Sequence, residues 1–292
     1  MKLFFLLPFL FYNACANPND YNETKPKSDK EKYWYNGEAE ITSYKLSQAR
    51  YGEIHEGQAV MIFVTEPFSE QKMTKSDNAS TNDISVLKLN FTKKFYTGIY
   101  PYSMMTSTFF PFSNSLHSIK VSSSTQEWCG QTYMELQNKG KFEIDVRSYF
   151  ENESGKRSIA KNLLEDDLWS KIRLDPDHLP EGSAMVIPSF FYLQLGHEKA
   201  EALECTLTKG KVNTEISSYT IKYREVDRTI NIKYQTSFPH KILGWDETSY
   251  SGYGSARKKL TTTAELQKSI KTDYWTKNSV ADGSLRDDLD LK

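Results

Sequence analysis

Residues 162–195, NLLEDDLWSKIRLDPDHLPEGSAMVIPSFFYLQL, decide how this chain folds, because they contain its clearest helical pattern outside the N-terminal segment. Leu164, Leu168 and Ile172 recur at every fourth position, which predicts a helix of about ten residues over 163–172 that buries one apolar stripe. Asn162 is the expected N-cap of this helix.

Asp166 falls outside the apolar stripe of the helix, so we expect its side chain to be exposed.

The remaining sequence favours strands. Beyond Pro176, the apolar run 184–195 predicts a strand buried on both faces. Farther along, residues 217–223 are expected to pair with residues 229–235. The predicted fold is mainly β, with a single strongly curved antiparallel sheet, or a half-open barrel or sandwich, around one short central helix.

Composition limits the class of protein. A chain of 292 residues with 38% hydrophobic and 13% aromatic residues fits one domain of half-exposed strands. Lys and Arg number 37 against 38 for Asp and Glu, so no excess of positive charge favours binding to nucleic acid. We therefore expect no nucleic-acid partner.

The N-terminus has the pattern of an export signal. Residues 1–16 combine a basic start at Lys2 with an apolar core and small residues, which predicts a signal segment. Cleavage after Ala16 is one interpretation. The other, which we favour, is lipidation of Cys15, because residues 17–32 are polar and charged like a lipoprotein tether. The expected location is the outer membrane, facing the periplasm, and the alternative is a soluble periplasmic or secreted protein.

The domain is expected to span residues 33–275, and residues 276–292 are expected to form a disordered acidic tail. The stretch 95–112 is rich in aromatic residues, and it forms either sheet core or the wall of a ligand cavity. The candidate ligand-lining residues are Phe95, Tyr100, Tyr102, Phe109, Phe110 and Trp169.

Motifs for metal or cofactor chemistry are missing from the sequence. Its 5 histidines stand singly, without the spacing of a metal site. No G-x-S-x-G elbow, phosphate-binding loop or G-x-G-x-x-G motif occurs. We therefore expect no bound metal and no cofactor.

Two weaker hypotheses concern reactive side chains. Cys129 could be a nucleophile, but in an exported chain a disulfide between Cys129 and Cys205 is the favoured interpretation. A carboxylate-dependent hydrolase would need two acids across a cleft, and Glu66, Asp246 and Asp166 are the candidates. Solvated surface acids are the default interpretation of these residues.

Four short stretches carry a resemblance to a known family. They are residues 33–35 (YWY), 87–91 (LKLNF), 126–131 (QEWCGQ) and 238–245 (FPHKILGW). Together they resemble an uncharacterised family of Bacteroidota envelope lipoproteins, whose members often bear the label "septum formation inhibitor Maf". True Maf proteins are cytosolic nucleotide pyrophosphatases that begin with S-x-S-P-R-R, which is missing here. The resemblance therefore implies a location in the cell envelope and no catalytic residue.

These observations favour a non-enzymatic envelope protein. We expect it to bind or carry an apolar or polymeric ligand, such as a lipid, a glycan or another envelope protein, while a lipid anchor holds it to the membrane. A carbohydrate-binding or structural module is the alternative, and a carboxylate-dependent hydrolase is the third hypothesis.

Overall fold

The computed structural model of the protein describes residues 28–113 and 116–291. The predicted signal segment, Cys15 and most of the predicted tether lie outside these residues. Within these described residues, sixteen strands form one sheet. They are β1 Ala39–Arg50, β2 Glu53–Ser69, β3 Thr74–Lys75, β4 Ile84–Thr97, β5 Tyr100–Pro111, β6 Lys120–Glu127, β7 Gly130–Asn138, β8 Phe142–Ser148, β9 Gly155–Ile159, β10 Leu163–Leu164, β11 Gly182–Ile187, β12 Leu203–Lys211, β13 Ile216–Tyr223, β14 Thr229–Gln235, β15 Ile242–Ser251 and β16 Lys258–Thr272.

In the part of the chain that the structure describes, four α-helices accompany the sheet: α1 Asp29–Trp34, α2 Glu165–Leu174, α3 Phe190–Gly196 and α4 Leu285–Asp288. Short 3-10 helices lie at Pro176–His178, Gly254–Ala256, Tyr274–Thr276 and Val280–Ser284. None of the helices in the described ranges is long and apolar enough to cross a membrane.

The sheet is mostly an antiparallel meander that does not close into a barrel. Its order is β10-β11-β12-β13-β14-β15-β16-β1-β2-β4-β5-β6-β7-β8-β9, and β3 pairs with β2. The pairing of β16 with β1 joins the two ends of the domain into the middle of the sheet. One large core contains side chains of α2 together with inward residues of β1, β2, β4 and β5 and of β11 to β16, so the sheet curves around this helix. The predicted fold class is thus confirmed.

The central helix α2 lies where the sequence predicts, but it is buried on every side rather than along one stripe. Leu168 and Ile172 are in the core, as expected. Asp166 is also buried, which corrects its predicted exposure. The helix begins at Glu165 without a side-chain cap, so Asn162 is not its N-cap. Asp166 is buried because the strongly curved sheet surrounds α2 and leaves the helix no face toward solvent.

The predicted strand over 184–195 is wrong, because the apolar run divides into β11 and α3. Pro188 has no backbone N–H to continue a strand ladder. Ser189 then caps the new helix, since its Oγ accepts a hydrogen bond from the backbone N–H of Tyr192 at 3.2 Å. Periodicity alone does not separate a short buried helix from a buried strand.

Both ends of the domain differ from prediction. The capping box formed by Ser28 and Glu31 begins α1 inside the predicted tether. The predicted disordered tail contains α4, and Leu289 just after it is buried. Gln58 on β2 donates a hydrogen bond to the carbonyl of Asp290 at 3.1 Å. The described part of the tail therefore packs on the sheet, because one apolar residue and a few polar contacts hold it there.

Candidate functional site

The inner face of the sheet changes from apolar to polar toward the end where β1 turns into β2. Side chains alternate along a strand, so residues two apart share a face. Phe91 and Lys93 therefore point inward together on β4, as do Trp245 and Glu247 on β15. Lys93 and Glu247 belong to a polar layer next to the aromatic core, which contains Phe91 and Trp245.

Helix α3 covers this polar layer and leaves a cavity of about 550 Å³ beside it. Its apolar lining comes from Phe191, Tyr192 and Leu195 of α3. Polar side chains from the sheet complete the wall, namely Gln48, Arg50, Lys93, Glu247, Ser249 and Thr262. The volume lies within the usual range of small-molecule sites.

Lys93 is the most unusual residue of the cavity wall. It is 4% exposed, and no carboxylate of the described residues lies within 4.0 Å of its Nζ. The Nζ instead lies 5.0 Å from the ring centre of Phe191, 5.6 Å from that of Phe91 and 5.9 Å from that of Trp245. Burial lowers the pKa of Lys93, and the charge of Glu247 partly offsets this effect. A buried ammonium group without an ion-pair partner costs free energy, which marks it as a functional candidate.

Glu247 belongs to a buried network centred on Arg228. The Nε of Arg228 donates to Glu247 at 2.7 Å, and its two terminal nitrogens donate to Glu165 of α2 at 2.6 and 2.8 Å. Tyr223 donates to the same Glu165 carboxylate at 2.7 Å. Burial alone would raise the pKa of Glu247, but the charges of Arg228 and Lys93 outweigh it and lower this pKa. The network fixes α2 to β13, to the turn between β13 and β14, and to β15, and it holds the Glu247 carboxylate in place.

Arg50 forms another part of the wall. It donates hydrogen bonds to the carbonyl of Leu195 on α3 and to the hydroxyl groups of Tyr51 and Tyr102. The Tyr51 and Tyr102 hydroxyl oxygens lie 2.8 Å apart, and the Tyr100 hydroxyl donates to Tyr51 at 3.0 Å. Arg50 is therefore held by neutral oxygens and by the face of Tyr51.

The mouth of the cavity lies at the turns between strands. Tyr250 and Tyr253 line it and are exposed, and the Arg257 guanidinium lies 4.0 Å from the ring centre of Tyr250. Asp227 is also at the mouth, where Lys259 donates to it at 2.7 Å. The site thus has aromatic rings outside and a buried cation inside.

Comparison with known proteins does not assign this chain to a family. No family model matches the chain, and no curated protein matches it. Among solved structures, a porin-like protein from Bacteroides uniformis is similar over 79% of this chain and 96% of that chain. The identity is 10% and the TM-score is 0.22, a likeness too weak to support any conclusion about function.

The six predicted ligand-lining residues do not line the cavity. Phe95 and Tyr102 are buried and stack with ring centres 4.7 Å apart. Phe110 and Trp169 belong to the core around α2. Phe109 packs against Phe68 with the ring centres 4.9 Å apart, in a separate cluster. Tyr100 contributes only indirectly, through its hydroxyl contact to the tyrosines that hold Arg50. The aromatic stretch is therefore sheet core, which is the alternative interpretation of its sequence.

Cys129 and Cys205 are free thiols and do not form the predicted disulfide. Cys129 lies exposed in the turn between β6 and β7, whereas Cys205 is buried on β12 with its Sγ 3.5 Å from the carbonyl oxygen of Ala184. The Cys205 side chain packs in the core, so it does not contact Cys129 at its exposed turn. Burial raises the pKa of Cys205 to about 11, which keeps this thiol protonated and unreactive.

The three candidate acids of a hydrolase have separate partners. Lys88 lies 3.5 Å from Glu66, and Lys233 lies 2.6 Å from Asp246. Asp166 accepts a hydrogen bond from the backbone of Phe190 inside the domain. Among the described residues, no group of three or more His, Cys, Asp or Glu side chains could hold a metal ion.

A signal for the polar layer does exist in the sequence. Leu87, Leu89 and Phe91 alternate on one face of β4, and continuing that alternation places Lys93 on the same buried face. A lysine in phase with a core face is unusual enough to predict a buried charge.

Proposed function

We propose that the protein is an exported, non-enzymatic binding protein of the cell envelope, and that it holds its ligand in the cavity beneath α3. The observation that carries this proposal is Lys93, a buried cation that faces a cavity and has no carboxylate within 4.0 Å among the described residues. The polar wall favours a ligand with hydrogen-bonding groups over the purely apolar ligand that the sequence also allows. A polymeric ligand fits if its end enters the cavity and its remainder leaves past Tyr250 and Tyr253.

The test is native mass spectrometry of the protein purified from its own envelope. We expect a bound species, because the cavity is large enough for a small ligand or the end of a larger one. Ser249→Trp should reduce the bound fraction, since the indole would fill space beside the cavity wall. Lys94→Trp is the matched control on the exposed face of β4 and should keep the ligand. If wild-type protein carries no ligand and binds none added later, the proposed function is wrong.

The location in the envelope is a separate part of the proposal. It is supported by the apolar segment before Cys15, the polar stretch after it, and the resemblance to envelope lipoproteins.

We expect Cys15→Ala to release the protein from the membrane fraction into the soluble fraction, because the lipid anchor would be lost. Cell fractionation with metabolic labelling by a fatty acid measures this. Cys129→Ala is the control and should leave the distribution unchanged. A wild-type protein that is already soluble, with Asn17 as its first residue, would favour ordinary cleavage.

A further inference from the structure

The charged side chains around the cavity are unevenly paired. Glu247 is bound by Arg228, and Asp227 is bound by Lys259. In contrast, the cations Lys93, Arg50 and Arg257 line the cavity with no carboxylate of the described residues within 4.0 Å. Glu198 and Glu225 also line the cavity without such a partner, but both are exposed to solvent, whereas Lys93 is buried.

Two further polar atoms of the wall lack partners. The Oε1 of Gln48 and the Nε of Arg50 are buried, and neither has a hydrogen-bond partner within the described part of the chain. The Nε2 of Gln48, by comparison, donates to the Oγ1 of Thr262 at 3.1 Å. Buried polar groups without partners are rare and call for an explanation. A hydroxyl group of a ligand could donate to the Oε1 of Gln48, and an anionic oxygen of the same ligand could accept from the Nε of Arg50.

Building on the proposed binding function, we propose that the ligand is a hydroxylated organic acid, in which a carboxylate or phosphate group pairs with Lys93. Anionic oxygens form stronger hydrogen bonds to an ammonium group than neutral oxygens do. The hydroxyl groups of such a ligand would meet Gln48, Ser249 and Thr262 on the wall. Its less polar face can stack on Tyr250 or Tyr253 at the mouth. An acidic sugar unit, free or at the end of a polymer, has this chemistry.

Isothermal titration of the full chain with matched sugars tests the charge requirement. The probes are glucose, glucuronate, glucose 6-phosphate and inorganic phosphate. We expect either glucuronate or glucose 6-phosphate to bind at least about tenfold more tightly than glucose, because a hydrogen bond to a charged group contributes more than a neutral one. The comparison of those two acids separates a carboxylate site from a phosphate site. Inorganic phosphate shows whether the anion alone is sufficient.

The matched variants are Lys93→Met and Lys94→Met, which remove neighbouring lysines from opposite faces of β4. Lys93 is buried in the cavity wall and Lys94 is exposed. Lys93→Met should remove the preference for the acidic sugar, and Lys94→Met should retain it. If Lys93→Met does not fold in a circular dichroism melt, Lys93→Arg replaces it and should retain the preference, because the positive charge remains.

Two results of the titration would overturn this inference. One is equal affinity of the wild-type protein for glucose and both acidic sugars, and the other is an unchanged preference in Lys93→Met. A neutral species found by native mass spectrometry would also exclude an acidic ligand while leaving the proposed binding function intact. The absence of any bound or added ligand would instead contradict the proposed function itself.

Discussion

The Arg228→Leu variant should lose about 3 to 5 kcal/mol of folding free energy, the cost of leaving buried charges without their partner. Arg228 is fully buried and binds two carboxylates, those of Glu165 and Glu247. Leucine would leave both glutamates desolvated in the domain interior. Since whole domains are stable by only about 5 to 15 kcal/mol, we expect poor expression or a large fall in melting temperature.

Arg224→Leu is the matched control, because Arg224 lies in the same turn between β13 and β14. It also approaches a glutamate, with its nitrogen 2.7 Å from Glu204, but both side chains are about half exposed, at 55% and 44%. An exposed pair contributes at most about 1 kcal/mol. Chemical denaturation of the two variants measures the difference. Similar losses for both would show that Arg228 is solvated and that the buried network does not stabilise the domain.

The sequence predicts those features of the fold that depend on local pattern. Strands β13 and β14 pair as expected, with Tyr219 opposite Ile232 and Ile221 opposite Ile230. A short turn connects the two strands, so alternation alone sets which residues meet. Leu168 in α2 is buried as predicted for the same reason, since helical periodicity defines the stripe.

The candidate site depends on contacts between distant parts of the chain. Arg228 contacts Glu165 across 63 positions, and Arg50 contacts Leu195 across 145. Nothing in the composition or spacing of these residues pairs them. The cavity also depends on α3, which the sequence pattern predicts as a strand. The alternation along β4 identifies Lys93 as buried, but the neighbours of Lys93 follow from how the sheet closes around the helices.

Stability should fall as the pH rises from about 4 to about 8, because two aspartates in α2 are protonated more readily in the folded protein than in the unfolded chain. Burial raises the pKa of Asp166 to about 8, and the neighbouring charges of Glu165 and Asp167 add to this. Burial likewise raises the pKa of Asp167 to about 6. Both lie above the ordinary value of 3.8. Ionising either group inside the domain therefore costs folding free energy.

Glu40 and His117 have the opposite effect, because they reduce the stability of the protein as the pH falls. Burial acts to raise the pKa of Glu40, but Arg173 outweighs it and lowers the pKa to about 2, so this stabilisation is lost as the pH falls below about 4.5. Burial lowers the pKa of His117 to about 4, and the contribution of this neutral histidine is lost as the pH falls from about 6.5 toward 4. The stability maximum is thus expected near pH 4, where the gains from Glu40 and His117 balance the losses from Asp166 and Asp167.

Asp166→Asn should remove most of the loss at high pH. The asparagine oxygen can still accept the hydrogen bond that the Phe190 backbone N–H gives to Asp166 at 3.0 Å, but it carries no charge. A single carboxyl group with a raised pKa changes the free energy of unfolding by up to about 1.4 kcal/mol per pH unit. The stability advantage of the variant over wild type should therefore be several kcal/mol larger at pH 8 than at pH 5. Urea denaturation at the two pH values measures this difference. Asp177→Asn, at an exposed position shortly after α2, should retain the pH dependence of the wild type. If Asp166→Asn and wild type show the same dependence on pH, Asp166 is ionised in the folded protein and the interior around α2 is more polar than its burial indicates.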